Sequence, residues 1–72
     1  MTDKYARARR YRTFANEARL YALSARSPKD RDSLLNLAEE YERLAREAEA
    51  LEATKEIMEK LDSQLTRNGD AV

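Results

Sequence analysis

The chain has no cysteine, no histidine, no tryptophan, one glycine, one proline and no net charge. Each absence removes a class of chemistry. Without Cys there is no disulfide or thiol chemistry. Without His and Cys, most zinc sites, the Ser-His-Asp and Cys-His nucleophile pairs and imidazole acid-base catalysis have no side chains to build them. The single glycine, Gly69, leaves no glycine-rich loop to cradle a phosphate. No apolar run exceeds four residues, Leu20 to Leu23, so the sequence shows neither a signal-type apolar stretch nor a membrane span and predicts a cytoplasmic protein. Glu49, Glu52, Glu56 and Glu59 recur at helical spacing. A bundle metal site pairs Glu with His, so these four are read as a solvated acidic face. The expectation is therefore a protein with no cofactor, no metal and no enzymatic activity.

What remains is rich in Ala, Glu, Leu and Arg, with 39% charged residues, which is the composition of long helices or a coiled coil. Seventy-two residues make one small domain, near the size at which a core supplies only a few kcal/mol and oligomerisation commonly adds the rest.

Local signals cut the chain once. Ser27-Pro28-Lys29-Asp30 supplies an N-cap serine, a proline at the first helical position and an acid at the third that can reach back to the cap. Pro28 also disfavours helical geometry at Ser27 and closes the preceding helix. Thr2-Asp3 can cap a first helix over about 3–26, and Arg67-Asn68-Gly69 reads as the stop of a second over about 28–66. A connection this short makes the two antiparallel. The predicted fold is all-α, a helical hairpin forming a single domain over 1–68, with a frayed tail at 69–72.

The apolar positions define the hairpin core. Helix 1 offers Tyr11, Phe14, Ala15, Ala18, Tyr21, Ala22 and Ala25; helix 2 offers Leu34, Leu37, Ala38, Tyr41, Leu44, Ala45, Ala48 and Leu51. Both stripes follow the 3-4 spacing of one amphipathic face. If facing residues have numbers summing to 59, every layer pairs a large side chain with a small one, as Phe14 with Ala45 or Tyr41 with Ala18. The tyrosines then read as packing residues and not as base-stacking groups.

Charge follows the same division. Residues 1–26 hold seven cations and two anions, net +5; residues 27–72 hold seven cations and twelve anions, net −5. At the sum of 59, Arg7 faces Glu52, Arg10 faces Glu49, Arg12 faces Glu47 and Arg19 faces Glu40, while Glu17 facing Glu42 breaks the rule. The cationic run Lys4 to Arg12 is thus first an intramolecular complement to helix 2. Arg9, Arg12 and Lys4 are the cations this reading leaves free to touch a nucleic acid.

A second apolar set lies outside the hairpin core: Leu20 and Leu23 on helix 1, and Ile57, Met58, Leu61 and Leu65 on helix 2, of which Leu61 and Leu65 project past the reach of helix 1. It predicts self-association into a dimer, as a four-helix bundle or a distal coiled coil. Pro28 separates the basic stretch from the leucine row, which removes the basic-zipper reading.

The segments Tyr11-Arg12 to Ala18 and Arg31 to Ala45, "YR..A.EA" and "LL.LAEEYERLA", resemble a group of short two-helix bacterial proteins with no assigned function. The resemblance implies a hairpin in a small bacterial protein and carries no activity with it. The leading functional expectation is a non-enzymatic interaction and oligomerisation protein, a small adaptor or regulator whose partners are a second copy of itself and another protein. The alternative is a nucleic-acid-binding helical-bundle dimer using the basic face of helix 1. Zero net charge and an acidic helix 2 weigh against it, because such binders carry a cationic excess. No membrane partner is expected.

Overall fold

The serine-proline break folds the chain in two. A computed structural model describes residues 3–70, with side chains over 3–65, and contains two helices: α1, Ala6–Leu23, and α2, Pro28–Asp70. They lie side by side as a hairpin. The Ser27 hydroxyl accepts a hydrogen bond from the Asp30 N–H at 3.1 Å, and the Ser27 carbonyl accepts from the Arg31 N–H at 3.0 Å. One otherwise orphaned donor at the start of α2 is thereby satisfied. The Asp30 carboxylate returns no hydrogen bond to Ser27 among the described residues, so the cap is one-sided.

Both ends of α1 fall short of the expected 3–26. At its start Asp3 caps a turn and not the helix: its Oδ1 accepts from the Tyr5 N–H at 3.0 Å, its carbonyl accepts from the Ala6 N–H at 3.3 Å, and helical geometry begins at Ala6. Thr2, the other expected cap, lies outside the described residues. At the far end the Ser24 and Ala25 N–H groups bond back to the Tyr21 and Ala22 carbonyls, tightening the last turn. Residues 24–27 are then free to reverse the chain, which a helix running to Arg26 would not permit.

Helix α2 runs further than the expected 66, through Gly69 to Asp70. A glycine stop works by turning left-handed, and no described glycine has a positive φ. Gly69 and Asp70 are therefore helical, and residues 71–72 lie outside the described region. At 43 residues α2 is about 65 Å long, against about 27 Å for the 18 residues of α1. The Cα atoms span 69 × 23 × 7 Å, which is a single layer two helices wide. The radius of gyration, 19.3 Å, compares with about 11 Å for a compact domain of this length.

The core consists of alanine. Among the described residues six are buried, Ala8, Ala15, Ala18, Ala22, Ala38 and Ala45, and no larger side chain joins them. Ala8, Ala15 and Ala22 are seven apart, as are Ala38 and Ala45, so one narrow seam runs along the hairpin. Tyr41 packs on Ala15, Ala18 and Ala38, large against small as the layer argument requires. Elsewhere the assignment needs correction: Phe14, Tyr21, Leu37 and Leu51, expected in the core, are exposed, Tyr21 by 67%. Tyr11, Leu34, Leu44, Ala25 and Ala48 are half-buried. The cause is geometric. Two helices can enclose only the strip between them, and nothing lies above or below that strip to cover side chains on its edges.

Candidate functional site: the two faces of the hairpin

Positions advance about 100° per residue around a helix, so the residues flanking the alanine seam divide between the two flat faces of the layer. On one face α1 presents Arg12 and Arg19 and α2 presents Glu42 and Glu49. The Arg19 guanidinium donates to Glu42 at 3.1 Å and to Asn16 Oδ1 at 3.1 Å, and Arg12 pairs with Glu49 and reaches Glu42 at 3.9 Å. Glu42 thus bridges two arginines one α1 heptad apart.

This network replaces the expected pairs. Arg7–Glu52, Arg10–Glu49, Arg12–Glu47 and Arg19–Glu40 do not form among the described residues. A constant sum aligns positions along the axes and ignores rotation about them. Glu40 and Glu47 precede Glu42 and Glu49 by two residues, about 200° of rotation, and point out to solvent. Glu40 instead pairs with Arg43 one turn along α2, at 2.5 Å. Rotation also turns Glu17 outward, removing its expected clash with Glu42.

On the opposite face the flanking side chains are apolar. Tyr11 and Tyr41 stack across the seam with ring centroids 6.3 Å apart, and Phe14 lies 5.3 Å from Tyr41 with the rings tilted by 50°. Tyr21 extends this edge of α1; Leu37, Leu44 and Leu51, seven apart, form the matching edge of α2. Each is half-buried or exposed.

The three cations held as candidate nucleic-acid contacts all have carboxylate neighbours. Lys4 lies 3.7 Å from Glu56, Arg9 pairs with Asp3, and Arg12 pairs with Glu49. Lys4 and Arg9 stay more than half exposed and Arg12 about two-fifths, so each pair contributes little stability, about 0–1 kcal/mol. Arg12, counted among the free cations, points into the seam's ionic edge.

The residues expected to mediate self-association occupy two separate places. Leu20 and Leu23 stand beside Arg19 and Arg31, where with Leu35 they line an open groove of about 480 Å³ near the turn. Leu35 was missed by sequence reasoning, although its place one residue after Leu34 and off the main stripe marked it as an outlier. Ile57, Met58, Leu61 and Leu65 lie past the Lys4–Glu56 contact on the part of α2 that α1 does not cover, and all four are exposed, Leu65 by 68%. No helix among the described residues is long and apolar enough to cross a membrane, and no described cluster of three or more carboxylates has metal-binding geometry. No protein family, curated protein or solved structure matches this chain.

Proposed function

We propose that the protein is a non-enzymatic interaction protein, a helical hairpin that self-associates as a dimer and offers its remaining charged surface to another protein as a small adaptor or regulator. The observation that carries this reading is the composition of the core. Six alanines are buried, while twelve large apolar side chains are exposed, from Tyr5 to Leu65. Burying a methyl group contributes about 0.8 kcal/mol, against about 1.5–3 kcal/mol for a whole Leu or Phe side chain, so most of the available hydrophobic stabilisation is left unused by the single chain. A globular protein of 8.4 kDa exposes about 4,600 Å²; this chain exposes 6167 Å². A second copy supplies the missing cover.

The alternative, a nucleic-acid binder, finds less support. Its candidate cations sit beside carboxylates, and a phosphate would have to displace Glu56, Asp3 and Glu49 from Lys4, Arg9 and Arg12 in turn. Light scattering of the purified chain tests the main reading: a mass of twice 8.4 kDa is expected, and a monomer at micromolar concentration rejects it. Retention on heparin at low salt with a steep salt dependence, flattened by Arg9→Glu, would favour the alternative.

A further inference from the structure

Granting the self-association proposed above, we infer that the second copy docks on the aromatic face, with α1 lying along the other copy's α2 and both turns at the same end, so that the two uncovered α2 ends leave the bundle together.

The choice of face rests on what each would lose. On the ionic face Arg12 and Arg19 are held by Glu42 and Glu49, and a partner there would strip water from charges that stay partly solvated in the single chain. The aromatic face carries no ion pair across its seam among the described residues. Phe14 and Tyr21 on α1 stand level with Leu44 and Leu37 on α2, and Leu51 continues the row. The area is sufficient. The chain's excess over a globular protein of its mass, about 1,500 Å², exceeds the roughly 800 Å² that each partner buries in a stable interface.

Two symmetric arrangements can bring these faces together, and they differ in which helix meets which. A two-fold axis across the helices lays α1 on α1 and α2 on α2. A two-fold axis along them lays α1 on α2. Helix α1 holds five cations and one anion; α2 holds seven cations and twelve anions. The axis along the helices therefore sets opposite charges together and the other sets like charges together, an arrangement that costs specificity. It also carries the level matching within one hairpin over to the pair: Phe14 covers Leu44 of the second copy, and Tyr21 covers its Leu37.

The uncovered end of α2 reports which arrangement holds. Leu51, Thr54, Met58, Leu61 and Leu65 follow the alternating 3-4 spacing of a coiled-coil seam. With the axis along the helices both ends leave the bundle together, each with Leu61 about 160° round from Ala45 and so turned away from the other end. With the axis across them the ends leave in opposite directions.

Because the chain has no cysteine, single introduced thiols report this geometry without interference. Spin labels on Leu61→Cys are expected to lie within range of each other by electron resonance, because both α2 ends leave the bundle together, whereas an axis across the helices puts them at opposite ends. Tyr21→Asp, at a position already 67% exposed in the hairpin, is expected to halve the mass seen by light scattering, and Leu20→Asp to leave it unchanged. A dimer whose labels at residue 61 lie out of range of each other overturns the orientation. A Tyr21→Asp protein that remains dimeric, or a Leu20→Asp protein that dissociates, overturns the face. A monomeric wild type overturns the self-association reading itself.

Discussion

The two faces of this hairpin share one alanine seam and differ in what stands beside it. On the ionic face each arginine flanking the seam has a carboxylate on the other helix, so the side chains complete one another within a single chain. On the aromatic face Tyr11, Phe14 and Tyr41 touch across the seam, yet Tyr21, Leu37 and Leu51 remain open to water. Polar edges can be satisfied by one neighbour, because two hydrogen-bonding groups need only each other. Apolar edges need enclosure on all sides, which a single layer cannot give. Beside the seam, the same seven-residue spacing therefore produces a completed edge on one side and an open one on the other, while Leu20, Leu23 and Leu35 stay exposed farther out on the ionic face.

The comparison breaks most completely at the seam, which both faces share. Ala45 is fully buried, and Ala45→Leu forces the helices apart along both edges at once. A loss of about 1–3 kcal/mol is expected from overpacking, read as a lowered urea midpoint by circular dichroism. Ala50→Leu, one turn on but exposed, is expected to cost almost nothing and serves as the control.

A contrast of leucines separates the faces. Leu44 belongs to the aromatic face and Leu35 to the ionic one. If a second copy covers the aromatic face, Leu44→Ala costs about 2 kcal/mol or more, in the range of a buried truncation, and the loss grows with protein concentration. Leu35→Ala stays within about 0.5 kcal/mol, as an uncovered surface substitution does. Equal, small losses at both positions would mean that neither face is covered.

The turn sharpens the comparison by affecting both faces alike. Ser27→Ala removes the hydroxyl that accepts from the Asp30 N–H, and about 1 kcal/mol of stability should go with it, whereas Ser27→Asp should retain most of it. A cap defect that altered the Leu44 and Leu35 contrast would show that the two faces are not independent.

The sequence exposed the hairpin clearly because its signals are local. Ser27 and Pro28 act within four residues of themselves, and the serine side of their cap forms as expected. Where the helices stop was less legible: Gly69 has the right identity for a terminator, but left-handed geometry is a choice the surrounding chain must favour, and α2 passes through it. The alignment of Tyr41 with Ala18 was legible from the large-small pattern. The ionic edge was not, because pairing by number fixes height along the hairpin and leaves rotation open, and 200° separates Glu40 from Glu42. Core membership failed for a third reason. Periodicity identifies a stripe, and only the number of neighbouring elements decides how much of that stripe is enclosed.

The smallest expected effect tests whether the ionic face is as bare as the contrast requires. Glu42 touches both Arg12 and Arg19, so Glu42→Ala removes two ion pairs in one step. Each arginine is more than two-fifths exposed, so water already screens the attraction, and the summed loss should stay near or below about 1 kcal/mol. Added salt distinguishes screened pairs from enclosed ones. At about 1 M the screening length falls to roughly 3 Å, and the difference between wild type and Glu42→Ala should shrink toward zero. A loss above about 2 kcal/mol that persists in molar salt would mean that Glu42 is enclosed in the working state of the protein, which happens only if another chain packs over Arg12 and Arg19.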